Sequence, residues 1–205
     1  SPFAESVTVF ERFLNEFPQS AYTEKVNDYL VEVYMNTRSY EAALQSIAKI
    51  SHPGSRILEA KQKILFRLGT QAFANADFKQ AVEYLNQSLA LGSYNRRTQA
   101  DAYYWRGEAA YRQGRYAEAA RDFKQFLSLA INPSEESYRL ALYNLGYTAF
   151  KQKNYAEAGS WFKKFIDQPN TADMAIRADA YNRLGDCRFY TRNFDEARRL
   201  YDHAA

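Results

Sequence analysis

One frame of four positions recurs along the chain and constrains its fold more than any other feature. An aromatic residue is followed by a small residue three on, a bulky apolar residue seven on and another ten on. Tyr116, Ala119, Phe123 and Phe126 fit the frame, as do Tyr155, Ala158, Phe162 and Phe165. So do Tyr40, Ala43, Ile47 and Ile50; Phe78, Ala81 and Leu85; Phe194, Ala197 and Tyr201; and, at the start, Phe3, Ser6, Phe10 and Phe13. Successive frames stand 37 to 39 residues apart. A fixed period of this size marks a repeat array, in which each unit buries its apolar face against its neighbours.

Nine residues before the aromatic stands a glycine, at Gly69, Gly107, Gly146 and Gly185, replaced by Val31 in the first full repeat. One residue earlier stands Leu30, Leu68, Leu145 or Leu184, with Arg106 as the exception. These positions describe two helices per unit. The glycine removes a side chain where the second helix crosses the first, and the alanine three after the aromatic does the same from the other side. Short polar turns such as Gln113-Gly114-Arg115, Gln152-Lys153-Asn154 and Thr191-Arg192-Asn193 join them into αα-hairpins. Helix stops separate the units at Pro18, His52-Pro53-Gly54, Gly92, Asn132-Pro133 and Gln168-Pro169. Asn132, Pro133 and Glu135 read as N-cap, first-turn proline and the acid of a capping box, so a helix is expected to start there. Five hairpins and one leading helix from Phe3 to Phe17 make eleven helices, with no strand signal.

Composition excludes several function classes. The 205 residues are 46% apolar and 25% charged, as in soluble globular chains, and a net charge of +3 lacks the basic stripe of a nucleic-acid binder. The single cysteine, Cys187, rules out an internal disulfide framework and sits where a small packing residue is wanted. No apolar run approaches the roughly 18 residues of a membrane span, so no direct membrane insertion is expected from this segment. No secretory signal opens the chain, and both ends fall in mid-repeat, so a single array continuing into a longer protein is expected. Catalytic chemistry finds little to build on. The two histidines, His52 in a turn and His203 near the end, have no acid at metal-ligand spacing, and no glycine-rich phosphate loop, zinc spacing or paired-carboxylate motif is present. No enzyme activity, metal or cofactor is expected.

The Leu-Gly pair, the Tyr/Phe-x-x-Ala-x-x-x-Phe run and a closing proline together resemble the tetratricopeptide repeat over nearly the whole chain. That resemblance implies an all-α fold, a right-handed α-α superhelix of about five helical hairpins plus a leading helix. Its units fall at roughly 1–19, 20–54, 55–93, 94–131, 132–170 and 171–205, and the intervals of 37 to 39 residues between frames are longer than the family's usual length of roughly 34. In such solenoids the first helices line a concave binding face. Carrying the family's groove positions onto this chain gives Asp28 and Glu32; Phe66, Thr70 and Phe73; Tyr104, Glu108 and Tyr111; Tyr143, Tyr147 and Phe150; Asn182, Asp186 and Phe189. Lys63, Arg67, Arg112, Lys151 and Arg183 border them. The candidate peptide-binding residues are therefore Phe66, Arg67, Tyr104, Glu108, Tyr111, Arg112, Tyr143, Tyr147, Phe150, Lys151, Asn182 and Asp186. Rings at helical spacing also serve as core, so packing between neighbouring units stays open as their role. The lysine–asparagine clamp of the chaperone-tail-binding members is absent, its place taken by Asp28 and Glu32, Phe66 and Thr70, Tyr104 and Glu108, and Tyr143 and Tyr147.

The run FERFLNEFPQS from Phe10 to Ser20 is similar to the Phe-x-x-Phe-Leu-x-x-Phe-Pro-x-Ser signature of bacterial cell-envelope members, among them the outer-membrane assembly lipoprotein of the β-barrel machinery and the periplasmic Tol-Pal coordinator. This implies a periplasmic scaffold that binds an extended protein segment. Replacing Tyr104, Tyr143 and Tyr147 together by alanine should then abolish partner binding and leave melting nearly unchanged. A second reading stays open, a sensor or regulatory array of a larger enzyme or signalling protein, with aromatics that would also stack on a glycan. Apolar Leu200 and Tyr201 at the last helix point to self-association through the end repeats.

Overall fold

The computed structural model describes residues 2–130, 132–169 and 173–205, with side chains from Ala4 onward. The side chain of Phe3 and the expected unit ends at 131 and 170–171 lie outside the described residues. Eleven helices are present among them and no strand: α1 (Pro2–Glu16), α2 (Thr23–Met35), α3 (Tyr40–Ile47), α4 (Ser55–Ala74), α5 (Phe78–Ala90), α6 (Arg96–Arg112), α7 (Tyr116–Leu129), α8 (Glu136–Lys151), α9 (Tyr155–Ile166), α10 (Met174–Tyr190) and α11 (Phe194–Ala204). Even-numbered helices are the first helices of the hairpins. The chain divides into two compact units, Ser1–Ala102 and Tyr103–Ala205.

Within a hairpin, the turn is built from backbone geometry as much as from glycine. In four of the five hairpins the chain takes a left-handed conformation two residues before the aromatic, at Ala76 (φ 59°), Gly114 (φ 75°), Lys153 (φ 61°) and Arg192 (φ 67°). The next amide donates back to the closing turn of the first helix, Asp77 to the Ala72 carbonyl at 2.9 Å and Asn154 to that of Ala149 at 2.9 Å. That six-to-one bond is the Schellman way of ending a helix. The following residue then caps the second helix: Ser39, Asp77, Asn154 and Asn193 accept from the amides of Ala42, Gln80, Glu157 and Glu196. Each hairpin thus closes and restarts within about three residues.

The glycines do what their spacing requires. A Cβ placed on Gly69 would lie 2.7 Å from Leu85, on Gly107 3.0 Å from Phe123, on Gly146 2.6 Å from Phe162, and on Gly185 2.7 Å from Tyr201. No side chain fits there without displacing its partner. From the opposite helix, Ala81, Ala119 and Ala158 are fully buried.

The two units have separate cores. In the first, Leu30, Tyr34, Ile47, Ile57, Ile64 and Leu68 form a largely aliphatic cluster. Buried Gln62 locks its last boundary, donating to the carbonyls of Ser88 (3.2 Å) and Gly92 (2.6 Å) and accepting from the Asn95 amide (2.9 Å). In the second, Leu142, Ala158, Phe162, Phe165, Leu184 and Cys187 gather with half-buried tyrosines around them. Burial pushes the Cys187 thiol up to about 12, so it stays a neutral packing group.

Two local expectations change. Asn132 does not cap α8: its Oδ1 accepts from the Ser134 amide (3.0 Å) and hydroxyl (2.6 Å), and the helix begins at Glu136 without a side-chain capping bond. The side chain reaches the amide two residues on, which makes a turn rather than a helix start. Arg106 is no misfit at the leucine position. Its Nε and Nη2 donate to the two oxygens of largely buried Asp122, each at 2.8 Å, where the equivalent residues elsewhere are Ser46, Tyr84, Trp161 and Leu200. Two uncharged side chains have been exchanged for a bidentate ion pair.

Candidate protein-binding surface

The second unit holds ten of the twelve candidate residues. Phe66 and Arg67 belong to the first unit, where Phe66 is half-buried on α4 and Arg67 donates to the Tyr40 hydroxyl (2.5 Å) with its guanidinium over that ring. Arg67 thus lies against the preceding second helix.

In the second unit the tyrosines of α6 and α8 rest on the phenylalanines of the second helices. The Tyr104 ring meets Phe123 and Phe126 edge-on at 5.8 and 5.3 Å. Tyr143 meets Phe162 and Phe165 at 6.0 and 5.3 Å, and Tyr147 meets Phe162 at 5.3 Å. Tyr104 and Tyr143 are anchored by both the +7 and +10 positions of the repeat frame, and Tyr147 by the +7 position. The degree of burial nevertheless differs. Tyr104 is 7% exposed, a packing element rather than a contact surface, so a triple alanine variant that includes it will not leave melting unchanged. Tyr143 and Tyr147 are half-buried, with their hydroxyls in a polar network.

That network joins neighbouring first helices. Both Tyr143 (2.5 Å) and Tyr147 donate to Oδ2 of Asp179 on α10. Asn144 on α8 donates to Oε1 of Glu108 on α6, and Tyr104 is hydrogen-bonded to the same carboxylate. Farther along α10, Arg183 lies 3.3 Å from Asp186, whose Oδ1 accepts from Tyr201 at 2.5 Å. Burial, then the bond to Asp179, raises Tyr143 above the ordinary phenol range and takes Tyr147 to about 12. These phenols remain protonated donors at neutral pH. Burial also raises Glu108, opposed by Arg112, Asn144 and Tyr104. The arrangement offers fixed hydrogen-bonding groups.

The remaining candidates frame this network. Tyr111 packs edge-on to Tyr116 at 5.4 Å with exposed Arg112 next to it. Phe150 lies against Tyr155 at 5.3 Å and Tyr190 at 6.3 Å, and Lys151 is exposed. Among the described residues, neither Lys151 nor half-buried Asn182 engages a side-chain partner. Asn144 and Asp179 were not among the candidates. Their signal was a register: Tyr143–Asp179 and Glu108–Asn144 both span 36 residues, three fewer than the repeat interval, so each contact falls one helical turn earlier on the next first helix. No group of three or more metal-ligating side chains occurs among the described residues, and no described helix is long and apolar enough to cross a membrane.

Comparison with known proteins agrees with this architecture. Two tetratricopeptide-repeat family models match, over residues 100–133 and 119–174. No curated protein matches the sequence. Solved structures of similar fold include MamA (TM-score 0.59, 21% identity, covering 80% of this chain and 86% of that one) and BtubC from P. vanneervenii (TM-score 0.63, 13% identity, 98% and 86%). YrrB, a repeat protein with an unusual peptide-binding site, aligns with a TM-score of 0.57 at 18% identity over 95% of this chain and 90% of its own. At these identities the likeness is one of fold. Family models identify tetratricopeptide repeats over residues 100–174, and the same frame and all-helical hairpins continue on both sides of them.

Proposed function

We propose that the chain is a non-catalytic interaction scaffold of the bacterial cell envelope, holding an extended protein segment on the tyrosine-rich first-helix face of its second unit. The carrying observation is the pair of phenols, Tyr143 and Tyr147, fixed on Asp179 beside the uncommitted Asn182 amide and Lys151 ammonium. Large amphipathic rings held by their neighbours lose little freedom on binding, and an amide next to them supplies both a donor and an acceptor for a peptide backbone. YrrB supports the idea that this fold can present a peptide site. The envelope assignment rests on the similarity of Phe10–Ser20 to envelope members of the family.

The test is affinity capture from envelope and cytoplasmic extracts in parallel. It compares the chain with a Tyr143→Phe/Tyr147→Phe/Lys151→Ala variant that keeps both rings and hence the packing. An envelope protein retained by the first and depleted about tenfold by the second, the loss expected for roughly 1.4 kcal/mol of contact, supports the proposal. Equal retention by both, or retention of cytoplasmic proteins alone, refutes it. The sensor-array reading draws on exposed Phe189, Tyr190 and Phe194 at the last hairpin, where Tyr190 stacks on Tyr155 at 4.2 Å. Oligosaccharide binding that disappears on Tyr190→Ala would favour it.

A further inference from the structure

A row of basic tips runs along one edge of the second unit. Stacked antiparallel hairpins bring the links between their first and second helices to the same end, here the links α6–α7, α8–α9 and α10–α11. Arg112 and Arg115, Lys151 and Lys153, and Arg192 stand on these links, all exposed. The equivalent stretches of the first unit, 36–39 and 74–77, hold one cation, Arg38, and one acid, Asp77. Lys151 and Lys153 belong to the middle hairpin of the unit, flanked by α7 and α10, so their exposure is that of the edge and not of an outermost helix. Most acids beside the row are engaged. Glu118 lies 3.7 Å from Arg115, Glu157 accepts from Lys124 (3.2 Å) and Asn154 (2.9 Å), and Glu196 accepts from Arg188 (3.2 Å) and Asn193 (2.8 Å). Asp195 is left, and among the described residues Lys151, Lys153 and Arg192 have no acidic partner.

Backbone and rings add to the charge. Left-handed geometry two residues before the aromatic favours glycine, as at Gly114, yet the next two hairpins place Lys153 (φ 61°) and Arg192 (φ 67°) there, at the tip of the turn. Next to them in the chain, Tyr190 stacks on Tyr155 at 4.2 Å and meets Phe150 edge-on at 6.3 Å. Tyr190 is more than half exposed, and it holds the position of Arg112 and Lys151, which are exposed as well. We infer that this edge docks on the surface of a bilayer with anionic phospholipid headgroups. Its cations lie among the phosphates and the Tyr190 ring at headgroup depth, with no helix entering the hydrocarbon. Long basic stems reach such a surface while their charges stay in water, and an amphipathic ring suits its boundary. Tips in a row meet a flat partner along their length, whereas an extended peptide is the occupant proposed for the first-helix face. A neutral glycan would use the rings and leave the cations idle.

Sedimentation with vesicles tests the inference. The chain is expected to pellet with vesicles of phosphatidylglycerol in phosphatidylcholine, less so as salt is raised, and to stay in solution with phosphatidylcholine alone. Lys153→Glu/Arg192→Glu is expected to weaken that binding about tenfold. Arg121→Glu/Arg198→Glu, which makes the same change of charge at exposed positions of the second helices, is expected to bind like the unaltered chain. Circular dichroism checks that both variants keep their helices. Equal pelleting with neutral vesicles, none with anionic ones, or equal losses in the two variants would overturn the inference. So would soluble polyglutamate that binds the chain but not Lys153→Glu/Arg192→Glu while anionic vesicles are ignored, since the occupant would then be an acidic protein segment.

Discussion

The two units solve the same crossing problem with different side chains. In the first, the +7 residues of the two complete hairpins are Ile47 and Leu85, opposite Val31 and Gly69, and only the leading helix carries a ring there, Phe10. In the second they are Phe123, Phe162 and Tyr201, each against a glycine. A ring reaches farther across the first helix than an aliphatic chain does, and it offers an edge or face on which another ring can rest. Tyr104, Tyr143 and Tyr147 use that platform, whereas the first unit places Asp28 and Phe66 at the positions equivalent to Tyr104 and Tyr143. The candidate binding face of the second unit is therefore a consequence of its core.

The sharpest way to break this comparison is to remove a supported ring. Tyr104→Ala should cost about 3 to 5 kcal/mol, the range for a buried large aromatic. Tyr147→Phe, which keeps the ring and loses a hydroxyl, should cost only about 1 kcal/mol. Equal shifts in urea midpoint would show that the rings are not carried by the phenylalanine platform. Next in size is the Arg106–Asp122 ion pair, which stands where the other hairpins have uncharged side chains. Asp122→Ala strands the Arg106 guanidinium at a largely buried site and should cost about 3 kcal/mol. The double change Arg106→Leu/Asp122→Leu should recover most of that loss, and a double variant no more stable than the single would remove the substitution argument. Ala158→Leu and Ala119→Leu, at fully buried crossing positions, should each lose roughly 1 to 3 kcal/mol by overpacking. An unmoved midpoint for either would place the helix crossing elsewhere.

The smallest effect concerns pH. Burial raises the Glu108 carboxyl above 4.5 in the folded chain, so the native state holds that proton more tightly than the unfolded one. Its contribution to stability is then fully present below the unfolded value of 4.5 and is lost as pH rises through the folded value. Glu108→Gln should flatten the decline of stability above pH 4.5 and leave the acid side unchanged. A decline of the same slope in both proteins would assign it to other groups, buried Glu11 beside Tyr34 first among them, since burial raises it too.

Much of the fold was legible because a repeat states its rule several times. The frame located every helix pair, the glycine position and the buried alanines, since these follow from one crossing geometry. Single-instance features were harder. The left-handed turn residues Ala76, Lys153 and Arg192 carry no glycine signal, because the Schellman bond and the following cap hold the turn without it. Asn132 looked like a cap, but its side chain closed on the nearer amide. The candidate face was only partly readable. Tyr104 and Tyr143 hold the same position on successive first helices, yet one is buried and the other half-buried, which depends on neighbours that no local pattern specifies. Asp179 and Asn144 were missed because contacts between first helices run one turn short of the repeat interval.

The most direct test of the binding face is photocrosslinking in cells, with a benzophenone amino acid placed singly at four positions. Lys151 and Asn182 stand on the first-helix face of the second unit, and exposed Arg121 and Ser160 stand on its second helices. The account predicts a shared crosslinked envelope protein from positions 151 and 182 and none from 121 and 160. Crosslinks of equal strength from all four, or from the second helices alone, would contradict it.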